Sequence, residues 1–328
     1  MVNLESSYMG LSLKTPLIVG SSGLTHSVEN IIEIARQGAG AVVLKSLFEE
    51  QILNAANTTI NQNLLSNIYP EAEDYILNYT RENDVANYLK LIEDSKKAVD
   101  IPILASINCV SDSGWTSFAK QIEDAGADGL ELNVFVLPSN PGISGQINEA
   151  VYFDIVDNIL EEVKIPVSLK ISYYFSSLAQ MVTKLSWTGI KGIVLFNRFY
   201  SPDIDIEKLE ITSSNVFSTP AEITTPLRWI AMLSDRVNCD LAASTGIHDG
   251  NGMIKQLLAG AKAVQVASVL YKKGFEHIGT MLETLKNWME KKNFSKLDDF
   301  VGIMSLDEAK NPAVYERVQF MKHFSKIE

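Results

Sequence analysis

The chain is poor in the residues that build disulfide frameworks and metal sites. It has two cysteines, Cys109 and Cys239, among 328 residues, and neither belongs to a CxxC motif or a Cys/His cluster with metal-ligand spacing. The four histidines are scattered. These absences exclude a disulfide-stapled fold and predict no metal site, and the low cysteine content indicates a reducing cytoplasm.

Basic residues and long apolar runs are also scarce. The chain has 28 lysines and arginines against 40 aspartates and glutamates, a formal net charge of −12. This balance argues against a nucleic acid or an anionic membrane as the main partner. No apolar run is long enough to span a bilayer, and the first residues, MVNLESSYMG, lack the pattern of a signal peptide. We therefore expect a cytoplasmic protein with small-molecule partners.

Short runs rich in Val, Ile and Leu alternate with amphipathic segments along the chain, which is typical of a parallel sheet covered by helices. There are eight such runs: Pro16–Ser22, Ala41–Leu47, Pro102–Asn108, Gly129–Val134, Pro166–Ser172, Gly192–Asn197, Leu241–Thr245 and Ala263–Leu270. Eight strand–helix pairs predict an α/β fold, a (β/α)8 TIM barrel in which residues 1–328 form a single domain. An open doubly wound sheet is the alternative.

Three segments fall outside the repeat. Residues 9–14, with a turn at Gly10, are predicted to form a hairpin that covers the bottom of the barrel. Two long loops, at about 48–81 and 198–226, follow the second and sixth strands. Because long loops after barrel strands often form lids or binding surfaces, both are expected over the C-terminal face.

The last two strands end in small residues that suit a phosphate. Ser244-Thr245-Gly246 and Ala267-Ser268 offer unobstructed backbone N–H groups, and a further helix follows. Phosphate sites occur after strands 7 and 8 of this barrel. An ordinary βαβ unit with small turn residues is the alternative interpretation.

The other strand ends carry lysines and amides. Lys45 and Lys170 stand among apolar residues in LKS and LKIS, where a lysine needs a partner charge or a polar ligand. Lys45 alone is equally well explained as a rim lysine or as the partner of Glu131, and Asn133 and Asn197 as loop caps. Together these residues predict a site for a polar, planar, phosphorylated cofactor.

Motifs along nearly the whole chain resemble those of the dihydroorotate dehydrogenase family, especially its cytosolic class 1 branch. They are LKTPLIVGSSG, GAGAVVLKS, ASIN, AGADGLELN, PVSLKISYYF, FNRF, STGI and LLAGAKAVQVASVLYKKG. The resemblance implies FMN as the cofactor, hydride exchange at its N5 atom, and the conversion of dihydroorotate to orotate in pyrimidine biosynthesis. It also implies a homodimer and a soluble electron acceptor as the second substrate.

Carried over by position, the resemblance assigns cofactor and substrate contacts. The expected FMN contacts are Ser22, Gly23, Lys45, Ser46, Asn133, Lys170, Asn197, Ser244, Thr245, Gly246, Ala267 and Ser268. The expected substrate contacts are Lys45, Asn67, Asn108, Asn133 and Asn197. A cation such as Lys170 near the N1–C2 edge would raise the electron affinity of the flavin.

The pattern breaks where the family carries its catalytic base. The family's motif resembles N-x-S-C-P-N, whereas this chain reads NVFVLPSN, with Val136 at the position of the base. A valine cannot accept a proton. Ser139, three residues on, is the candidate replacement and joins Lys45 as a candidate catalytic residue; Tyr69, Tyr173 and Tyr174 are others.

Two further functions stay open. One is an FMN oxidoreductase of the same family that acts on a different small substrate, which the altered Val136 loop favours. The other is a barrel lyase or isomerase without a flavin, which would use the same phosphate turns and a strand lysine. The chain carries no iron–sulfur cysteine set, so any electron-transfer subunit would be separate.

Overall fold

A computed structural model describes residues 2–48, 85–109, 116–199, 201–213, 215–309 and 313–316. Its central feature is a closed barrel of eight parallel strands. They are β3 (Leu17–Val19), β4 (Ala41–Val43), β6 (Ile103–Cys109), β7 (Gly129–Val134), β8 (Val167–Ile171), β9 (Gly192–Leu195), β12 (Asp240–Ser244) and β13 (Ala263–Val266). Pairing runs in the order β4-β3-β13-β12-β9-β8-β7-β6, and a β4–β6 pairing closes the ring. The predicted TIM barrel is confirmed.

Helices cover the outside of the barrel. The described ones are α1 (Val28–Arg36), α2 (Val85–Ala98), α3 (Thr116–Asp124), α4 (Gly145–Glu162), α5 (Leu178–Leu185), α6 (Thr224–Leu233), α7 (Gly250–Ala259), α8 (Ser268–Lys273), α9 (His277–Lys292) and α10 (Ala313–Glu316). Short 3-10 helices span Gly23–Thr25, Pro220–Ile223 and Leu297–Asp299. Within the described residues, no helix is both long and apolar enough to cross a membrane.

Several element boundaries differ from the sequence prediction; the second strand, for example, ends at Val43 and not at Leu47. The last barrel strand ends at Val266 and not at Leu270. Val269 and Leu270 are buried, but they belong to the short helix α8. A short apolar run does not by itself distinguish a strand from a buried helical turn. Helix α4 begins at Gly145, where the Ser144 hydroxyl accepts a hydrogen bond from the backbone N–H of Ile147 and caps the helix.

The N-terminal hairpin closes the bottom of the barrel, as predicted. Strands β1 (Ser6–Tyr8) and β2 (Leu11–Leu13) pair antiparallel around a turn in which Gly10 has φ +77°. The backbone N–H of Met9 donates to Asp240 Oδ2 over 2.8 Å, at the start of β12. Tyr8 fills the space beside Gly192, where a Cβ atom would come within 2.6 Å of the tyrosine hydroxyl. The hairpin thus seals one end, and the strand ends at the other remain for a site.

The two predicted long loops have different outcomes. The loop after β9 contains an antiparallel hairpin, β10 (Pro202–Asp205) and β11 (Glu210–Ser213), followed by the 3-10 helix Pro220–Ile223. The loop after the second barrel strand lies outside the described residues, apart from its start at β5 (Leu47–Phe48), which pairs with β6. Of the two predicted loops, the structure therefore describes mainly the one after β9, on the C-terminal side of the barrel.

Alternation along each strand separates two cores. Residues such as Leu17, Val42 and Leu132 belong to the large core between the strands and the helices. Their neighbours Ile18, Val43 and other inward residues form a second, smaller core with the N-terminal hairpin. Because side chains alternate with a period of two, this small core fixes which strand residues point inside the barrel.

Candidate active site

The inward face of the strands carries the predicted polar residues toward the C-terminal end. Lys45 continues the inward series of Val43, and Asn133 and Lys170 lie opposite each other on β7 and β8. Asn108 is the register partner of Asn133 on the other side. The structure therefore brings four neighbouring strand ends with polar residues, those of β4, β6, β7 and β8, to one mouth.

A buried charged network spans the barrel below this mouth. Lys170 Nζ donates to Gln265 Oε1 over 2.8 Å and lies 3.6 Å from Glu131 Oε1, and Gln265 Nε2 donates to Glu131 Oε2. Glu131 is fully buried and Lys170 is 9% exposed. Lys170 is thus a cation beside Glu131. Glu131 and Gln265 are 134 residues apart in the chain and lie on strands that are not neighbours, so closure of the barrel brings them together.

An amide pair lies at the ends of β7 and β9. Asn197 Nδ2 donates to Asn133 Oδ1 over 2.6 Å. This bond orients both amides and leaves the Asn133 amide N–H groups and the Asn197 carbonyl oxygen for further partners. Both side chains are half-buried, so the pair borders the mouth instead of only capping a loop.

Serines connect the first strands of the barrel. Ser46 Oγ lies 3.0 Å from Ser21 Oγ and 2.8 Å from Ser106 Oγ, and the backbone N–H of Ser46 donates to Ser21 Oγ. Ser22 accepts from the backbone N–H of Leu24 and caps the 3-10 helix that begins at Gly23. The side chain of Ser22 therefore has a structural partner, and Ser46 belongs to a chain of hydroxyls.

Lys45 titrates near the physiological range. Its side chain is half-buried at the mouth, and this desolvation lowers the pKa of its ammonium group to about 8. A substantial fraction of the Lys45 side chains is therefore deprotonated and neutral under mildly alkaline conditions.

Replacement of Lys45 by methionine should change the pH dependence of stability. The pKa of Lys45 is lower in the folded chain than in the unfolded one, so between about pH 8 and 10.5 the unfolded state binds more protons. The free energy of unfolding of the wild type should therefore rise relative to Lys45→Met as pH increases through this range. Urea titrations of both proteins at pH 7, 8, 9 and 10 measure the difference. A constant difference would contradict the lowered pKa.

The turns after β12 and β13 have the small-residue geometry that the sequence predicted. Thr245 and Gly246 both take left-handed conformations, with φ of 77° and 79°. A Cβ atom at Gly246 would come within 2.2 Å of the backbone nitrogen of Ile223, so only glycine fits. Ala267 precedes α8, which begins at Ser268. The two turns follow neighbouring parallel strands and face one end of the mouth.

The 3-10 segment after the β10–β11 hairpin is fastened to these turns. The backbone N–H of Ser218 donates to Ser268 Oγ over 3.1 Å, and Ser218 Oγ lies 2.9 Å from His248 Nε2. His248 is half-buried, and burial together with Lys272 and Lys273 lowers its pKa. The next residue, Asp249, caps α7. Because Ser268 Oγ accepts from Ser218, its hydroxyl proton is left to donate elsewhere.

Among the described residues, Val136 occupies the position of the family's base. Val136 packs against the outer core, and its backbone N–H donates to the Tyr152 hydroxyl over 3.2 Å. Ser139 is exposed in the loop beyond it. Burial raises the pKa of the Cys239 thiol to about 12, so Cys239 is no base. Asn67, Tyr69 and the Cys109 side chain lie outside the described residues.

The structure also brings together aromatic rings that the sequence analysis did not group. Phe135 and Phe199 stack with ring centroids 3.7 Å apart, Phe199 lies 5.9 Å from Tyr174, and Tyr174 lies 4.8 Å from Tyr173. Tyr173 in turn meets Phe196 edge to face at 5.7 Å. We call these five residues the aromatic cluster. The available signal was that four of the rings follow a polar strand-end residue within four positions, and that the fifth, Phe196, directly precedes Asn197.

Gln265 was also missed. It continues the inward series of Ala263 on β13, so alternation within AVQVAS marks it as an inward polar residue in an otherwise apolar strand. Among the described residues, no group of three or more His, Cys, Asp or Glu side chains forms a metal site. The polar groups at the mouth are therefore amides, hydroxyls and lysines.

Known proteins resemble this chain over most of its length. The catalytic subunit of dihydroorotate dehydrogenase B (NAD(+)) from Thermoplasma volcanium is 26% identical over 316 residues, covering 92% of this chain and 99% of its own. The protein of the same name from Methanothermobacter thermautotrophicus is 27% identical, covering 92% and 98%. A putative dihydroorotate dehydrogenase A (fumarate) from Aeropyrum pernix is 25% identical over 65% of this chain.

A solved structure supports the fold. The dihydroorotate dehydrogenase of Eimeria tenella, in complex with ferulenol, superposes with a TM-score of 0.66 at 16% identity and covers 92% of this chain and 88% of its own. The family profile described as Dihydroorotate dehydrogenase matches residues 3–289. The chain therefore belongs to the dihydroorotate dehydrogenase family, whose members are oxidoreductases that act on CH–CH donors.

Proposed function

We propose that this protein is an FMN-dependent oxidoreductase that transfers a hydride between a small CH–CH substrate and the N5 atom of FMN. The observation that carries the proposal is the position of Lys170. It lies at the end of β8 beside the Asn133–Asn197 amide pair, and Glu131 and Gln265 hold its ammonium group from below. A fixed cation with neighbouring amides suits the polar edge of a flavin ring.

The residues present fit this cofactor. The Asn133 and Asn197 amides keep donor and acceptor groups for the edges of an isoalloxazine ring. At the other end of the mouth, Gly246 is packed so closely that any side chain would displace Ile223, and the Ser268 hydroxyl keeps its proton. Backbone N–H groups after two parallel strands suit a phosphate dianion. The match to the dihydroorotate dehydrogenase family favours the flavin over a barrel lyase or isomerase.

Each group of residues would have a separate role. FMN, when bound, supplies the hydride acceptor or donor. Lys170 would stabilise negative charge at the N1–C2 edge, and Asn133 and Asn197 would orient the ring. Ser244, Thr245, Gly246, Ala267 and Ser268 would hold the phosphate. Ser22, Gly23 and Ser46 would border the ring on the side of Lys45, and Asn108 would lie toward the substrate.

The visible spectrum of the purified protein tests this proposal, and dihydroorotate is the first substrate to add because it is the substrate in the names of the relatives. Flavin bands that appear with FMN, and that bleach anaerobically with dihydroorotate, would support the family's reaction. If the bands bleach and Ser139 is the base, Ser139→Ala should lower the rate of bleaching more than tenfold. An unchanged rate would exclude Ser139 as the base. A protein without flavin bands after addition of FMN would overturn the proposal.

A different small substrate is the second candidate, and one observation favours it. Val136 packs into the outer core, and Phe135 beside it stacks on Phe199. The family's proton-transferring position therefore holds an apolar group within an aromatic surface. We expect FMN to bind and dihydroorotate to bleach it slowly or not at all.

Reoxidation of the flavin would need a second partner. The relatives from Thermoplasma volcanium and Methanothermobacter thermautotrophicus are named catalytic subunits, which indicates a further subunit in their enzymes. We propose a soluble acceptor or a separate electron-transfer subunit for this chain, in the cytoplasm. Anaerobic reduction followed by addition of NAD(+) tests the first, because NAD(+) stands in the relatives' names.

We also propose a homodimer, supported by the exposed face of the β10–β11 hairpin. Ile204 and Ile211 are register partners, exposed by 66% and 76%, and Ile206 and Leu209 in the connecting turn are exposed by 77% and 85%. Such a contiguous apolar patch is typical of an interaction surface. In a twofold dimer the same patch meets its own copy.

Ile211→Asp should therefore dissociate the dimer. The change removes apolar burial from both copies, about 3 kcal/mol in total, which raises the dimer dissociation constant about a hundredfold. Size-exclusion chromatography with light scattering measures it at micromolar protein. Ile147→Asp, at a side chain 59% exposed on α4, is the matched control and should stay dimeric. A wild-type monomer, or a dimer that survives Ile211→Asp, would contradict this interface.

A further inference from the structure

We infer that three buried groups bind a water molecule inside the barrel, one inward step below Lys170 on β8. The groups are the Tyr8 hydroxyl, the Ser168 hydroxyl and the Glu131 carboxylate. Tyr8 is then a positioning residue, because it acts on Lys170 through Glu131. The water site stands on these groups alone, and only its effect on a flavin rests on the proposed FMN site.

Three neighbouring strands and the N-terminal hairpin bring these groups to one place. Glu131 on β7 is the register partner of Ser168 on β8, and Ser168 is the register partner of Gly192 on β9. Gly192 continues the inward series of Val194, so its register partners point into the barrel as well. The ring of Tyr8 fills the space beside Gly192 from below, where a Cβ atom would come within 2.6 Å of the phenol oxygen. The hydroxyl therefore ends beside the row that Glu131 and Ser168 form.

Each of the three groups has a polar atom that no described residue satisfies. The Tyr8 hydroxyl, Ser168 Oγ and Glu131 Oε1 are buried and make no hydrogen bond within the part of the chain that the structure describes. Lys170 Nζ lies 3.6 Å from Oε1, beyond hydrogen-bond distance, and Gln265 bonds the other carboxylate oxygen. Buried polar groups without a partner are rare in folded proteins, and bound water commonly supplies the missing bonds.

The groups lie close enough to influence one another, although they make no direct hydrogen bond. Burial raises the pKa of the Tyr8 phenol well above its usual value, the Glu131 carboxylate raises it further, and the Ser168 hydroxyl lowers it. Tyr8 therefore stays a neutral donor. One water molecule can accept from the Tyr8 hydroxyl and donate to Ser168 Oγ and Glu131 Oε1. Three partners are typical of a buried water molecule.

The water links the closed end of the barrel to the cation near its open end. It binds Glu131 Oε1, the carboxylate oxygen that faces Lys170 Nζ. A donor on this oxygen stabilises its negative charge in place. Without that donor, the carboxylate closes on Lys170 and compensates its charge more fully. The water thus keeps part of the ammonium field available to the mouth, where a flavin would meet it.

The stability of two conservative variants tests the water site without any flavin. Tyr8→Phe and Ser168→Ala each remove one partner of the water and should lower the folding equilibrium constant about fivefold, the usual net effect of one hydrogen bond. Because both act through one water, the double variant should lose less than the product of the two effects. Urea titration of the full chain measures all three. A Tyr8→Phe protein as stable as the wild type, or a double variant that loses the full product, would overturn the inference.

Tyr88→Phe is the matched control, since it removes the same hydroxyl from another buried tyrosine. The Tyr88 hydroxyl bonds the backbone of Ser106, at 2.8 Å from its nitrogen and 3.2 Å from its carbonyl oxygen. Its loss should therefore multiply with that of Ser168→Ala. Equal non-additivity in both pairs would show that no shared water causes it and would overturn the inference.

Crystal structures of the wild type and of Tyr8→Phe test the water and the positioning role directly. We expect an ordered water within hydrogen-bond distance of the Tyr8 hydroxyl and Glu131 Oε1 in the wild type. In Tyr8→Phe, the distance between Lys170 Nζ and Glu131 Oε1 should shorten from 3.6 Å to hydrogen-bond distance. A direct bond between Tyr8 and Ser168 with no water, or an unchanged distance between Lys170 and Glu131, would overturn the inference.

The flavin-loaded protein gives a readout that is separable from the proposed function. Tyr8→Phe should move the midpoint potential of the bound flavin to a more negative value, because Lys170 then stabilises the reduced ring less. Tyr88→Phe should leave the potential unchanged. Bound flavin with an unshifted potential in Tyr8→Phe defeats the positioning role alone. A wild type without flavin bands defeats the proposed function, and the unfolding and crystallographic results still decide the water site.

Discussion

Lys170→Met should lower the free energy of unfolding by about 3 kcal/mol and prevent stable flavin binding. The substitution keeps the length of the side chain but leaves the Glu131 carboxylate fully buried without its cation, 3.6 Å from where the ammonium was. Removal of one partner from a buried ion pair costs about 3–5 kcal/mol. Urea denaturation measures the loss, and the visible spectrum after dialysis against FMN measures cofactor retention.

The double variant separates stability from cofactor chemistry. Lys170→Met combined with Glu131→Gln replaces the charged pair by neutral groups, and the new amide can still bond Gln265. We expect its stability to return to within about 1 kcal/mol of the wild type, because neutral replacements of buried pairs are often tolerated. Flavin binding should stay impaired. If the single variant is as stable as the wild type, the buried network does not act as an ion pair.

Gly246→Ala should disrupt the phosphate end of the site. A methyl group there would come within 2.2 Å of the Ile223 backbone nitrogen, and the residue has φ 79°, which disfavours any side chain. The 3-10 helix Pro220–Ile223 must move away, and Ser218 moves with it. We expect the free energy of unfolding to fall by several kcal/mol, which thermal unfolding measures. The variant should retain no FMN, which the flavin spectrum measures.

Gly10→Ala is the matched control. Gly10 has nearly the same backbone conformation, φ 77°, but nothing lies within 4 Å of the Cβ position. The free energy of unfolding of this variant should fall by only about 1 kcal/mol, the cost of a non-glycine residue in the left-handed conformation. The variant should keep its flavin. Equal losses in the two variants would show that backbone strain, and not crowding at the turn, governs Gly246.

The strand positions were predictable because they depend on local pattern. Eight apolar runs matched eight barrel strands, and the hairpin around Gly10 was recognised from its turn. The boundary errors arose where one hydrophobic pattern fits both a strand and a buried helical turn. Val269 and Leu270 read as the end of a strand but are buried on a helical turn, since burial alone does not choose between the two.

The side-chain partners were less predictable. Lys45 and Lys170 look alike in LKS and LKIS, and the sequence offered Lys45 as a possible partner of Glu131. The register of β7 against β8 brings Lys170 to this carboxylate, because it places Asn133 opposite Lys170 and sets Glu131 one inward step lower. His248 is a similar case, since the segment that carries Ser218 buries it from a distance of 30 residues.

The sequence by itself determined the barrel, the order of its strands, and the ends at which polar and small residues gather, because hydrophobic periodicity and turn residues act locally. Only the tertiary structure decided which of those residues meet. Lys170 and Gln265 are 95 residues apart, and Asn133 and Asn197 are 64 apart. Their contacts exist because closure of the sheet fixes a register around the ring, and the same closure gathers Phe135, Tyr174 and Phe199 over the mouth.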